Sequence, residues 1–269
     1  MQIEGNTLSE EQVTALIDRK RIIGPKKDVV EVTNAINVYD QIGKYIPASE
    51  KSFLKAHQTL MKDLITNGGK YRTKNIGIAQ GSGIAHVAPP PANVPFLMKN
   101  LFQYLGDKKE LSLIKSCVFH YELEFIHPFA DGNGRMGRLW QTVILMEEYP
   151  VFEFLPFETM ISQTQEEYYM VLKKSDKTGK STSFIEYMLR VIDKSLEQML
   201  KFNQRIFTEA DRLEYFITHG PKEFTRAVYM NVFKTISPAT ASRDLKTGVE
   251  TGLFRKSGSK NQTKYKLKK

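Results

Sequence analysis

The chain has 269 residues, 41% of them hydrophobic and 26% charged, a balance that supports a folded core and excludes a disordered tract. No apolar run reaches the roughly 18 residues that a bilayer span needs, and MQIEGNTLSEEQ carries carboxylates where a signal peptide would carry lysines, so neither a membrane partner nor export is expected. Residues 205–269 hold 14 Lys/Arg against 6 Asp/Glu while residues 1–204 hold 25 against 24, so nearly all of the net +9 charge lies in the tail. Such a break predicts two domains, 1–204 and 205–269, the second suited to a polyanionic partner.

In chain order, a capping-box pattern at Thr7 to Glu10 and the spacing of Val13, Leu16 and Ile17 predict a helix that ends near Gly24-Pro25. Apolar positions recur every three or four residues from Val29 to Ile42 and from Ser52 to Ile65, where Gly68-Gly69 stops the run. Ile76, Ile78, the Gly81-Ser82-Gly83 turn, Ile84 and Val87 then predict a small hairpin before Pro89-Pro90-Pro91. Further helices are expected over 94–105, 109–125, 135–148, 164–175 and 181–203. The fold class is therefore mainly α with one hairpin.

The tail has its own pattern. A helix over Arg212–Phe216, a second from Thr225 through Phe233, a third capped by Ser237, and two short strands near Phe254 and Tyr265 read as a winged helix-turn-helix. Thr240, Ser242, Arg243 and Lys246 would face outward on the third helix and are candidate DNA contacts, with Lys260, Lys264, Lys266, Lys268 and Lys269 as candidate phosphate contacts. The same arrangement also serves protein contacts, and the helical faces are apolar enough to permit a homodimer. The single cysteine, Cys117, rules out an internal disulfide and predicts a reducing, cytoplasmic setting.

Chemistry concentrates at His127-Pro128-Phe129-Ala130-Asp131-Gly132-Asn133-Gly134-Arg135-Met136-Gly137-Arg138. A helix ending near Ile126 meets Pro128, a glycine-rich turn follows, and a helix opens at about Arg135. Gly132 and Gly134 let main-chain N–H groups converge ahead of that helix's positive end, which is an anion site. Arg135 and Arg138, three apart, can reach one polyphosphate, and Asp131 offers the hard oxygen that Mg²⁺ takes beside phosphates. His127 is the nearby group whose proton affinity suits a base near neutral pH.

This run resembles the signature of the Fic family, His-Pro-Phe-x-Asp/Glu-Gly-Asn-Gly-Arg-x-x-Arg, at every specified position. Gly69-Lys70-Tyr71-Arg72, Asn75 to Ile78 and His86 to Pro90 resemble that family's flap, so the likeness covers about residues 1–200. The resemblance implies a helical bundle with a hairpin flap and transfer of AMP from ATP to a Ser, Thr or Tyr hydroxyl of a target protein. It implies His127 as base, Asp131 as Mg²⁺ ligand, and Gly132, Asn133 and Gly134 as the phosphate cradle. Arg135 and Arg138 would reach the β and γ phosphates, and Phe129 would anchor the loop. Ile76, Gly77, Ile78 and Tyr169 would border the nucleotide, although Asp176 stands where relatives often have Asn. Glu4, in Glu4-Gly5-Asn6, is similar to the glutamate of the family's inhibitory motif, whose Ser/Thr would fall one position before Met1, and its carboxylate would pair with Arg138. Three readings stay open: an adenylyltransferase, a DNA-binding regulator whose first domain senses nucleotide, or a related enzyme that uses another nucleotide or removes AMP.

Overall fold

The computed structural model describes residues 2–80, 83–107, 109–155, 157–203, 208–234, 236–258 and 263–268; the side chains of 2, 78–86 and 201–203 are outside the description. The chain divides into two compact units, Met1–Leu200 and Lys201–Lys269. The boundary expected at 204/205 lies outside the described residues.

In the first unit a 3₁₀ turn at Gln2–Glu4 precedes α1 (Glu10–Ile17), α2 (Lys26–Tyr39) and α3 (Glu50–Leu60). The hairpin follows as β1 (Gly77–Gln80) and β2 (Gly83–Val87), which pair antiparallel with an irregularity at Ile78/Ala79. After it come α4 (Val94–Leu105), α5 (Ser112–Ile126), α6 (Asn133–Met146), α7 (Phe157–Gln163), α8 (Gln165–Thr178) and α9 (Thr182–Asn203). The helical bundle with one hairpin is thus present as expected.

Three local details correct the sequence reading. The capping box is formed by Ser9 and Gln12, not Thr7 and Glu10. Both pairs have the required spacing, but Asp28 captures Thr7, accepting from its N–H at 2.8 Å and its hydroxyl at 2.5 Å. α1 stops at Ile17 rather than near Gly24, because Arg19 takes the left-handed conformation, φ 59°, which ends the helix. α7 escapes sequence detection since seven residues cannot show a period; burial of Phe157, Met160 and Ile161 holds it.

α5 and α6 form the centre. α6 is buried at twelve of its fourteen positions, including polar ones, so it cannot show the one-sided stripe of a surface helix. One core packs Phe53, Phe102, Phe119, Phe129, Trp140 and their neighbours from α2 to α6; a second joins Cys117, Tyr121, Tyr168, Phe184 and Tyr187. The loop between α5 and α6 is held in the first core through Phe129.

The second unit contains α10 (Glu209–His219), β3 (Glu223–Phe224), α11 (Arg226–Val232), α12 (Pro238–Glu250), β4 (Phe254–Ser257) and β5 (Lys264–Leu267). Its sheet runs β3-β5-β4; the two-residue β3 is too short to read from sequence. Phe216, Tyr229, Leu245 and Phe254 fill its core. Ser237 caps α12, accepting from the Thr240 N–H at 3.1 Å, and Gly248 leaves room for the Phe254 ring, which a methyl at that position would strike.

Candidate active site

α5 ends on His127 in the left-handed conformation, φ 49° and ψ 61°. A non-glycine residue there costs about 1–2 kcal/mol, and such strain persists only where neighbours fix it. Arg72 does the fixing. Its guanidinium donates to the carbonyls of His127 (2.8 Å), Ile126 (3.3 Å), Pro89 (2.5 Å) and Lys74 (2.9 Å), while its N–H donates to Pro128 O at 2.8 Å. Arg72 is 3% exposed, a buried cation surrounded by carbonyl dipoles. Arg72→Leu should lower unfolding stability by roughly 3 kcal/mol or more, since several buried acceptors lose charged donors at once. Urea unfolding checks this, and an unchanged midpoint would refute the clamp.

Phe129 anchors the loop. It is fully buried, stacked on the His57 ring at 3.5 Å and 5°, with Phe53 and Tyr71 around it. His57 bonds to Asp131 O at 3.0 Å and accepts from the Gly69 N–H at 2.8 Å. Burial lowers its pKa to about 4, so it stays neutral. His120 is likewise sealed between Gln141 (2.7 Å) and Tyr168 (3.1 Å), with burial driving its pKa to about 3. Both act as supports. The His86 side chain lies outside the description.

α6 begins at Asn133, two residues before the expected start, with Gly132 as its N-cap at φ 85°. A side chain there would meet Met61 Sδ at 2.7 Å, so the turn needs glycine. Met136 N–H already bonds to Gly132 O at 2.9 Å, which leaves the N–H groups of Asn133, Gly134 and Arg135 without intrahelical partners, at the positive end of the dipole. The Asn133 side chain plays a different part: it exchanges two bonds with the Phe129 main chain, 2.8 and 2.9 Å, and is 2% exposed. Asn133 therefore has only its main chain to offer an anion.

Both arginines are buried, against the ordinary expectation of a solvated helix face. Arg135 meets Glu31 at 3.4 Å and Asp131 at 3.2 Å. Arg138 meets Glu4 at 2.7 Å and Glu158 at 3.7 Å. Carboxylates thus occupy both forks. The acids from α2 and α7, Glu31 and Glu158, carry no local motif, and only folding brings them here. Burial penalises the Arg138 cation, but Glu158 and Glu4 outweigh it and raise its pKa. Burial alone would raise the Glu4 carboxyl; Arg138 reverses this and holds it below the ordinary value.

Glu4 is not on a frayed end. Ile3 is 8% exposed and its carbonyl accepts from Gln165 at 3.2 Å, while Asn6 donates to Glu31 at 3.0 Å and to Asp28 O at 3.2 Å. The Glu4 carboxylate lies over the start of α6, 2.8 Å from where a methyl on Gly134 would be.

Beneath it lies Glu124, a residue that carries no signal in the sequence. Its Oε2 is 4.0 Å from His127 Nδ1 and its Oε1 3.8 Å from His120 Nε2, yet Oε1 is buried with no hydrogen-bond partner. Burial pushes its carboxyl up to about 7, against the pull of Arg138, with Glu4 and Asp176 adding to the rise. Because the ionised form is disfavoured in the fold, stability is fully retained below the unfolded pKa and falls as pH rises toward 7. Glu124→Gln should therefore raise Tm relative to the parent at pH 8 and leave it nearly unchanged at pH 4.5. A Tm difference independent of pH would contradict the assignment.

Asp131, with its side chain 51% exposed, accepts from the Gly132 N–H at 2.6 Å besides Arg135. Among the described residues no cluster of three or more His, Cys, Asp or Glu could hold a metal alone. One exposed carboxylate beside an anion site nevertheless fits Mg²⁺, which is usually bound through one or two carboxylates plus substrate phosphates. Ile76 is half-buried and Gly77 exposed at the base of β1; the Ile78 side chain lies outside the description. β2 lies against α8, where Tyr169 is half-buried beside Tyr168 with ring centroids 5.3 Å apart. Tyr168 itself is core, 2% exposed, and Asp176 accepts from Tyr121 Oη at 3.1 Å.

Fold and site together define a helical-bundle protein built around a helix start with open main-chain N–H groups and a histidine at its rim. Residues 47–145 match the model of the Fic/DOC family. A crystal structure of a Fic family protein from Desulfovibrio desulfuricans G20 is 37% identical, covering 99% of this chain and 83% of its own, with a TM-score of 0.75. The chain belongs to the Fic family. Curated relatives named Protein adenylyltransferase Fic, from Drosophila mojavensis and Drosophila grimshawi, are 28% identical over 211 residues, 74% of this chain. The chain spans only 39% and 41% of their respective lengths. Residues 134–508 of Fic-1 from C. elegans share the fold at 22% identity, TM-score 0.59, over 74% of this chain and 61% of that one.

Proposed function

We propose that the chain is a protein adenylyltransferase that moves AMP from ATP to a Ser, Thr or Tyr hydroxyl of a target protein. The observation that carries this reading is the juxtaposition of His127, fixed at the end of α5, with the unspent N–H groups that open α6 and the two buried arginines behind them. The names of the curated relatives support the same reaction.

His127 Nδ1 lies 3.3 Å from Glu124 O, the partner of a protonated Nδ1, which makes Nε2 the basic nitrogen. Nε2 takes the proton of the target hydroxyl, whose oxygen forms the new bond to the α phosphorus as the bond to the bridging oxygen breaks and pyrophosphate leaves. The N–H groups of Asn133, Gly134 and Arg135 hold the phosphates, and Arg135 and Arg138 meet the charge that grows on the leaving group. Asp131 would hold Mg²⁺, which when bound neutralises phosphate oxygens. Ile76, Gly77, Ile78 and Tyr169 are proposed to border the nucleotide.

The same reading makes Glu4 an inhibitor. Seated on Arg138 at 2.7 Å, it competes with the terminal phosphate for one guanidinium, so ATP would bind without its productive alignment. A reducing cytoplasm is proposed as the setting, from the single cysteine. Intact-mass analysis of the Glu4→Gly chain incubated with each of the four nucleoside triphosphates tests the reaction. One adenylyl adduct with ATP is expected; adducts of another nucleotide, or none with any, would refute it.

A further inference from the structure

We propose that the second unit binds duplex nucleic acid, with α12 entering the major groove. The element order α10, β3, α11, α12, β4, β5 and the sheet order β3-β5-β4 give a helix-turn-helix followed by a β-hairpin wing.

The distribution of charge around α12 supports this partner. The helix carries two acids. Asp244 is buried, held by Arg212 through two bonds of 2.6 and 2.8 Å and by Tyr229 Oη at 3.1 Å. That network removes one negative charge from the outer face and locks the helix against α10 and α11. Glu250, in the last turn, is exposed and pairs loosely with Lys246 at 3.7 Å, an ion pair worth little in water. What remains outward along the helix is Ser242, Arg243 and Lys246, all exposed, with Thr240 half-buried in the first turn. Arg226, from the first turn of α11, reaches the same face and donates to Ser242 Oγ at 3.1 Å.

The dimensions suit this partner: α12 is about 20 Å long, and a helix about 10–12 Å across is accepted by a major groove about 12 Å wide. On the sheet, Arg255 of β4 and Lys266 of β5 stand directly opposite and exposed, with Glu223 of β3 on the other side of Lys266. A single strand would offer phosphates but no groove.

The test is fluorescence anisotropy of the full chain with a labelled duplex at about 50 and about 200 mM salt, against a single strand of the same length. The expected result is tighter binding to the duplex and a steep loss with salt. Arg243→Glu with Lys246→Glu should weaken duplex binding at least tenfold, at an unchanged circular-dichroism melt. Arg243→Gln with Lys246→Gln should lower the slope of log K against log salt by about 2, near one for each phosphate that is no longer neutralised. Absence of duplex binding at the lower salt, equal affinity for the single strand, or undiminished binding by the Glu pair would overturn the proposal. So would a change in light-scattering mass caused by the Glu pair without any duplex binding, which would mark the face as a protein interface.

Discussion

Replacing His127 with Ala is expected to cut AMP transfer by roughly 10²–10⁴-fold, the span lost with a general base. ATP binding should survive, because in the proposed function the phosphates would be held by the N–H groups of α6 and by Arg135 and Arg138, none of which depends on the imidazole. The split matters: a fall in turnover with an unchanged nucleotide Kd assigns His127 to chemistry. A matching loss of affinity would show instead that the substitution collapsed the turn. Arg72 guards against collapse, since it binds the His127 carbonyl and not its ring.

Glu4→Gly should have the opposite effect, raising self-modification about 10- to 100-fold. The figure follows from the pair it removes, a short charge-assisted bond to Arg138, for which about 1.5–3 kcal/mol is typical. The release is incomplete, because Glu158 remains 3.7 Å from Arg138. A second substitution, Glu158→Gln, should therefore add to the first, and Tyr39, which donates to Glu158 at 2.7 Å, would lose a charged partner. Initial rates with labelled ATP check both variants. An unchanged rate in Glu4→Gly would dispose of the inhibitory role.

Much of the site is legible in the sequence because its parts are local. His127, Asp131, Gly132, Gly134, Arg135 and Arg138 sit within twelve residues, so a turn followed by a helix is enough to place them near one another in the sequence's own pattern. The residues on which the sequence is silent act over distance. Glu31, Glu158 and Glu124 are ordinary acids on ordinary helices until packing turns them toward the arginines and His127. Arg72 is visible only as part of a flap-like string, and two of its carbonyl partners, Ile126 and His127, come to it only when the end of α5 folds over it. Asn133 misleads in the other direction: its place in the motif suggests a ligand contact, yet its amide is spent on Phe129.

Helix positions follow the same logic. α4, with its apolar spacing and flanking prolines, falls over 94–105 as its pattern predicts, whereas α1 ends before the Gly24-Pro25 signal because Arg19 takes a left-handed backbone that periodicity does not mark. α6 is marked by its glycine turn, since burial all around hides the usual amphipathic pattern.

The most direct measurement is transfer of label to the Glu4→Gly chain from ATP marked at either the α or the γ phosphate, with Mg²⁺ present. Retention of the α label alone, abolished by adding His127→Ala, is the predicted result. Retention of the γ label, or α labelling that persists without His127, would contradict the account.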